Sequence, residues 1–181
     1  MATVPTTDTV SVGEKVTAAN YLTFTRDAFA FLLSPPRCSI YQTATTSMAT
    51  SGSSQLILFD TEAYDTDTMH STSTNTSRVT ATTTGLYLVT AALGFAANTT
   101  GYRLAQIRKN SAGAVGSGTR VAIASASAVP TGATSLSFSA YVQLTAGDYV
   151  EMFGLQNSGG ALATVAGVGE TMIQAQWVAN S

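Results

Sequence analysis

Two periodicities meet at Pro35-Pro36 and divide the chain into unlike parts. Before the prolines, AANYLTFTRDAFAFLL places Leu22, Ala28, Phe29, Leu32 and Leu33 near one helical face, because residues three and four apart share a side of the helix. Thr17 offers an N-cap hydroxyl, and Ser34-Pro35-Pro36 stops the helix. Phe24 and Phe31 lie off the main stripe, so the helix is apolar on more than one side and needs neighbours. Its own β domain, copies of itself and a docking protein all remain open as those neighbours. Residues 1 to 14 are rich in Thr and Val and have no core of their own; they read as an extended arm ordered against a partner. Residues 1–36 together form an arm and helix too small to fold alone, an attachment segment that makes the proline pair a hinge.

Beyond the prolines, in residues 37–181, the period becomes two. Leu136, Phe138, Ala140, Val142 and Leu144 alternate with polar residues and define a half-buried strand. Further strands are predicted over residues 38–43, 55–59, 78–83, 85–95, 102–109, 120–125, 148–156, 162–165 and 171–178. Gly, Pro, Asn and Ser clusters separate them. The Thr-rich stretch HSTSTNTSRVTATTTG reads as an exposed loop running into a strand. Ten short strands with no helix between them predict an all-β protein: an antiparallel ten-stranded jelly-roll sandwich with a short N-terminal arm and helix.

Composition narrows the function. Of 181 residues, 45% are hydrophobic and 10% charged, against about 25% charged in ordinary globular proteins. A weakly charged, partly apolar surface suits a chain that buries extra area in an oligomer. A net charge of -2, with Arg103, Arg108, Lys109 and Arg120 as the only basic concentration, argues against nucleic acid as a partner. No run is long and apolar enough for a membrane span, and the N-terminus MATVPTTDTVSVGEK lacks the apolar core of a secretion leader, so synthesis and use without a cleaved leader are expected. The single cysteine, Cys38, excludes an intrachain disulfide and reads as a packing residue.

Four local motifs then carry a resemblance. Ile57-Leu58-Phe59-Asp60 leads into Ala63-Tyr64-Asp65, and Gly85-Leu86-Tyr87-Leu88-Val89 follows. Next come Ile107-Arg108-Lys109-Asn110 and Leu144-Thr145-Ala146-Gly147-Asp148-Tyr149-Val150. In this order they resemble the jelly-roll heads of the complement component one, subcomponent q, and tumour necrosis factor superfamily. The stretch VGEKVTAANYLTFTRDAFAFLLSPPRCSIYQT resembles the N-terminal segment of virion proteins from tailed phages of actinobacteria. There is no collagen-like stalk, and the family's usual Asn-Gly is Asn110-Ser111. The resemblance implies a homotrimer in a virion, assembled in the host cytoplasm and attached to other virion proteins of capsid or tail, as a capsid decoration, head fibre or minor tail protein. A host-surface glycan is the other partner considered, in an adhesin or receptor-binding role.

Candidate chemistry is sparse. Asp60, Glu62, Asp65 and Asp67 are the only acidic cluster; carboxylate oxygens suit calcium, and some relatives bind it, but the spacing is not that of an EF-hand. These four are therefore weak metal candidates, and no cofactor is expected. His70 is the only histidine, and no nucleophile motif accompanies it, so no enzyme activity is expected. Leu22, Phe29, Leu32 and Leu33 are the expected attachment contacts. Tyr87, Phe95, Tyr141 and Trp177 are expected in the core or trimer contact, Trp177 buried.

Overall fold

A computed structural model describes residues 17–180 together with residues 4, 5, 13 and 15. The extended arm expected over residues 1–14 falls almost wholly outside the described residues. The helical segment runs as α1 (Ala18–Tyr21), a π-helical stretch (Leu22–Asp27) and α2 (Ala28–Leu33). Thr17 caps it, its Oγ1 accepting from Asn20 N at 3.1 Å, and Ser34 leaves helical geometry immediately before the prolines. The wide turn of the π stretch rotates the second half of the helix relative to the first.

Twelve strands follow among the described residues: β1 (Arg37–Tyr41), β2 (Ser47–Met48), β3 (Gln55–Leu56), β4 (Thr61–Asp65), β5 (Arg78–Thr80) and β6 (Gly85–Phe95). The rest are β7 (Tyr102–Lys109), β8 (Thr119–Ser127), β9 (Thr134–Leu144), β10 (Tyr149–Gln156), β11 (Leu162–Val165) and β12 (Met172–Ala179). The ten expected strands are present with shifted ends, and β2 and β4 are additional. Strand β4, with Glu62 and Asp65, is an edge strand, where charge is tolerated and a hydrophobic alternation is not needed.

All pairings are antiparallel. In the first sheet β6 lies between β9 on one side and β12 on the other, with β1 and β4 beyond β12; β11 continues the β12 edge of β6 and pairs β2. In the second sheet β10 pairs β7, which pairs β8, while β3 and β5 share the opposite edge of β10. The result is a jelly-roll sandwich. Its inner layer takes Tyr87, Val89, Ala91, Leu93 and Phe95 from β6, Leu136, Val142 and Leu144 from β9, and Ala105, Ile107, Val150 and Met152 from the facing sheet. Each large side chain among these contributes about 1.5–3 kcal/mol through burial.

Two glycines set how closely the layers meet. A Cβ on Gly154 would stand 2.6 Å from Leu93 Cδ2, so that glycine lets the facing sheets close. A Cβ on Gly85 would stand 2.1 Å from Trp177 Nε1 and 2.7 Å from Ala179 O. Trp177 thus lies across the missing side chain, its Nε1 donating to Thr84 O at 3.2 Å. Trp177 is half-buried, not fully buried as its alternation with Ile173 and Ala175 implied; it packs against the margin of the core near the end of β12. Gly85→Ala is expected to cost about 1–3 kcal/mol by overpacking, read as a lowered urea midpoint with unchanged slope.

Candidate assembly surfaces

Because side chains alternate, the core on one face of the first sheet dictates what lies on the other. The outward set is Ser135, Ser137, Ser139, Tyr141 and Gln143 from β9, and Leu86, Leu88, Thr90 and Ala92 from β6. Strand β12 adds Met172, Gln174 and Gln176, and β1 adds Arg37, Ser39 and Tyr41. Among the described residues two charges reach this face, Arg37 from β1 and the Glu170 carboxylate, which accepts from Ser135 Oγ at 3.4 Å beside Gly94. Tyr141, 64% exposed, pairs in register with Leu88 and stands among serines. An exposed aromatic on a weakly charged face has the character of an interface core, while the serines and glutamines around it need hydrogen-bond partners when covered. Ile123 of β8, 46% exposed, adds an apolar residue beside the β9 edge.

An aromatic contact joins the helix to its own head. Phe31 is buried, its ring 4.7 Å from that of Trp177 and perpendicular to it. Below the helix the chain is tied down: Pro35 O accepts from Thr66 Oγ1 at 3.1 Å, and Pro36 O accepts from Trp177 N at 2.8 Å. The proline pair is therefore an anchored junction, whereas the sequence suggested a hinge. Leu22, Phe29, Leu32 and Leu33, the attachment candidates, remain exposed, Leu33 by 81%. Phe31, counted off the main stripe, is the side chain that docks. The π-helical stretch explains the error, since it breaks the regular spacing from which the stripe was read.

The remaining candidates have structural partners. Tyr87 and Phe95 are wholly buried, with Tyr87 Oη donating to Thr83 O at 2.6 Å. The acidic residues do not converge. Asp60 accepts from Thr43 N at 2.9 Å, Asp65 accepts from Asp67 N and His70 N, and Asp67 accepts from Thr82 and Thr83. Glu62 Oε1 lies 2.9 Å from His70 Nδ1, while His70 Nε2 lies 3.2 Å from Thr76 O. Among the described residues, no three His, Cys, Asp or Glu side chains are grouped to hold a metal. Cys38 is buried, and burial raises its thiol pKa far above the ordinary range, as suits a packing residue.

Of the basic residues, Arg108 and Arg120 are register partners across β7 and β8 with Lys109 beside Arg108, while Arg103 lies elsewhere on β7. Arg103 is fully buried, its guanidinium donating to the carbonyls of Asn98, Thr100 and Tyr102, and burial lowers its pKa. Arg108 donates to Ser117 O and Gly118 O. Lys109 Nζ lies 2.6 Å from Asp148 Oδ2.

That last contact joins two motifs that are remote in sequence. Asp148 also accepts from Asn110 Nδ2 at 2.7 Å and Thr145 N at 2.7 Å, and Tyr149 N donates to Asn110 Oδ1 at 2.9 Å. Burial raises the Asp148 pKa, but the donors from Lys109, Asn110 and Thr145 outweigh it and hold the carboxyl at about 2. Sequence reasoning missed a second cluster. Glu151, 1% exposed, accepts from Ser77 Oγ, Arg78 Nε, Ser111 Oγ and Gly113 N, and these donors overcome burial to lower its pKa. A glutamate in the apolar run of β10 was the available signal, because such a charge needs partners.

The sandwich has the jelly-roll fold shared by complement C1q and tumour necrosis factor-like domains. Solved structures with this fold include the globular domain of zebrafish complement 1qA (13% identity, TM-score 0.58, 81% of this chain and 99% of that one). Murine APRIL at pH 5.0 (12%, 0.60, 79% and 98%) and Eiger TNF from S. frugiperda (13%, 0.59, 81% and 94%) are also similar. No protein-family model and no curated protein matches the chain.

Trp177 is the only tryptophan, so it reports helix docking directly. Phe31→Ala should red-shift its fluorescence while the head keeps its cooperative melt; an unshifted spectrum would mean that Phe31 does not hold the helix. Asp148 and Glu151 both titrate lower folded than unfolded, so their stabilisation is whole above about pH 5 and is lost as pH falls through the folded values. Asp148→Asn should therefore lower the melting midpoint at pH 7 and flatten its decline between about pH 4 and 2.

Proposed function

We propose that the chain is a non-enzymatic structural head: a homotrimer that is fixed to a tailed-phage virion by its N-terminal segment. The observation that carries the trimer is the outer face of the first sheet. Four strands present serines, glutamines, aliphatic residues and Tyr141, with charge confined to Arg37 at one margin and Glu170 beside Ser135. A sister head covering that face would bury Tyr141 and the aliphatic residues and pair the serine and glutamine side chains across the contact, and repeating the contact around a threefold axis closes the assembly. The resemblance of the sandwich to trimeric heads supports the same arrangement.

The N-terminal segment supports attachment. Phe31 fixes the helix to the head, and the side chains it leaves outward, Phe29, Leu32 and Leu33, are apolar. A helix held in place with an apolar face outward suits docking onto capsid or tail proteins. Resemblance of residues 12 to 43 to phage virion segments supplies the setting, with assembly in the host cytoplasm and service in the particle. His70, with both ring nitrogens engaged and its side chain fully buried, offers no general base, which favours a role without turnover. Among the described residues, no helix is long and apolar enough to cross a membrane.

Sedimentation should give three times the 18.6 kDa chain mass, and Tyr141→Asp should convert the trimer to a folded monomer. A wild-type monomer at all concentrations would reject the assembly. Phe29→Asp combined with Leu32→Asp should leave the trimer intact but reduce incorporation into particles at least tenfold, measured by blotting purified virions; undiminished incorporation would reject the docking role.

A further inference from the structure

A cleft of about 430 Å³ opens on the flank of the sandwich, between the loop after β4, strand β5 and the turn before β10. Its lining is neutral and rich in hydrogen-bonding groups, with Thr68, Ser71, Thr74 and Asn75 beside Arg78 and Tyr149. Arg78 is the cation there. Its guanidinium carbon lies 4.1 Å from the centre of the Tyr149 ring, and its Nε lies 3.1 Å from the buried Glu151 carboxylate. Tyr149 is itself fixed, its Oη accepting from Ala112 N at 3.0 Å.

The arginine is thus held on one face and one edge, with its side chain 25% exposed. Nη1 and Nη2 remain as a planar pair of donors for the cleft that Arg78 lines. Such a fork matches the two oxygens of a carboxylate. The surrounding hydroxyls and amide match a polyol, and the volume is in the range of small-molecule sites. Thr68 and Asn75 both have left-handed backbone, with φ of 57° and 51°, so the rim has a defined shape. His70 adds a wall and no free donor, because both its nitrogens are engaged.

We infer that this cleft binds a carboxylate-bearing sugar, the carboxylate on the Arg78 fork and the ring hydroxyls on Thr68 and Asn75, with Ser71 and Thr74 shaping the rim through their mutual hydrogen bonds. Because Glu151 already offsets part of the Arg78 charge, the cleft suits a ligand with one negative charge and several hydroxyls better than a bare polyvalent anion. The site is contained within one chain. It lies beside β5, at the opposite edge of the second sheet from β8, so the proposed trimer face does not cover it.

Saturation-transfer NMR on the full chain, with glucuronate, glucose and inorganic phosphate as separate probes, tests the inference. Glucuronate should receive saturation and be displaced by excess glucuronate, with glucose at least tenfold weaker and phosphate unable to compete at equal concentration. Arg78→Gln should weaken glucuronate at least tenfold. Asn75→Gly, which preserves the left-handed backbone without the amide, should weaken it severalfold while Glu151 keeps its partners. No transfer to glucuronate, equal binding of glucose, competition by phosphate, or full binding by both variants would overturn it.

Discussion

Strand β6 constrains the rest of the molecule. Its eleven residues pair with β9 along their whole length on one edge, and with β12 and β11 on the other. A strand held on both edges cannot slip by one residue without sending every side chain to the opposite face. Tyr87, Val89, Ala91, Leu93 and Phe95 must therefore face the second sheet, and Leu86, Leu88 and Thr90 must face away. The register then passes to β9, where it turns Tyr141 and the serines outward, and to β12, where it brings Trp177 over Gly85. Core, assembly face and helix dock are consequences of one pairing.

Polar groups complete what burial begins. Glu151 enters an apolar strand, and leaving it ionised without partners would cost several kcal/mol, so four donors from β5 and from the loops flanking β5 and following β7 converge on it. The same carboxylate orients Arg78, which links the packing of the second sheet to the shape of the flank cleft. Asp148 does comparable work at the turn into β10, where it gathers Lys109, Asn110 and Thr145 N. In this weakly charged chain, the few ions beside the second sheet fasten loops to strands.

The assembly surfaces and the cleft occupy different sides of the sandwich. The outer face of the first sheet and the β8 and β9 edges form one side, the helix and Trp177 one end, and the Arg78 cleft the flank near β5.

Strong alternation in residues 85–95 and 134–144 made the long strands legible, since a half-buried strand needs hydrophobic residues at every second position. Proline before β1 and glycine-rich turns marked most boundaries for reasons equally local. Strand β4 was hidden because an edge strand can carry Glu62 and Asp65 without a core-facing pattern. The acidic residues show the same limit: they are close in sequence, while the fold gives each carboxylate its own hydrogen-bond partners. Sequence by itself determined which residues must be inside, because burial follows hydrophobicity and strand period. Tertiary structure decided which distant groups meet, such as Phe31 with Trp177, Lys109 with Asp148, and Arg78 with Tyr149 and Glu151. Those contacts depend on sheet register and loop closure, which no local pattern encodes.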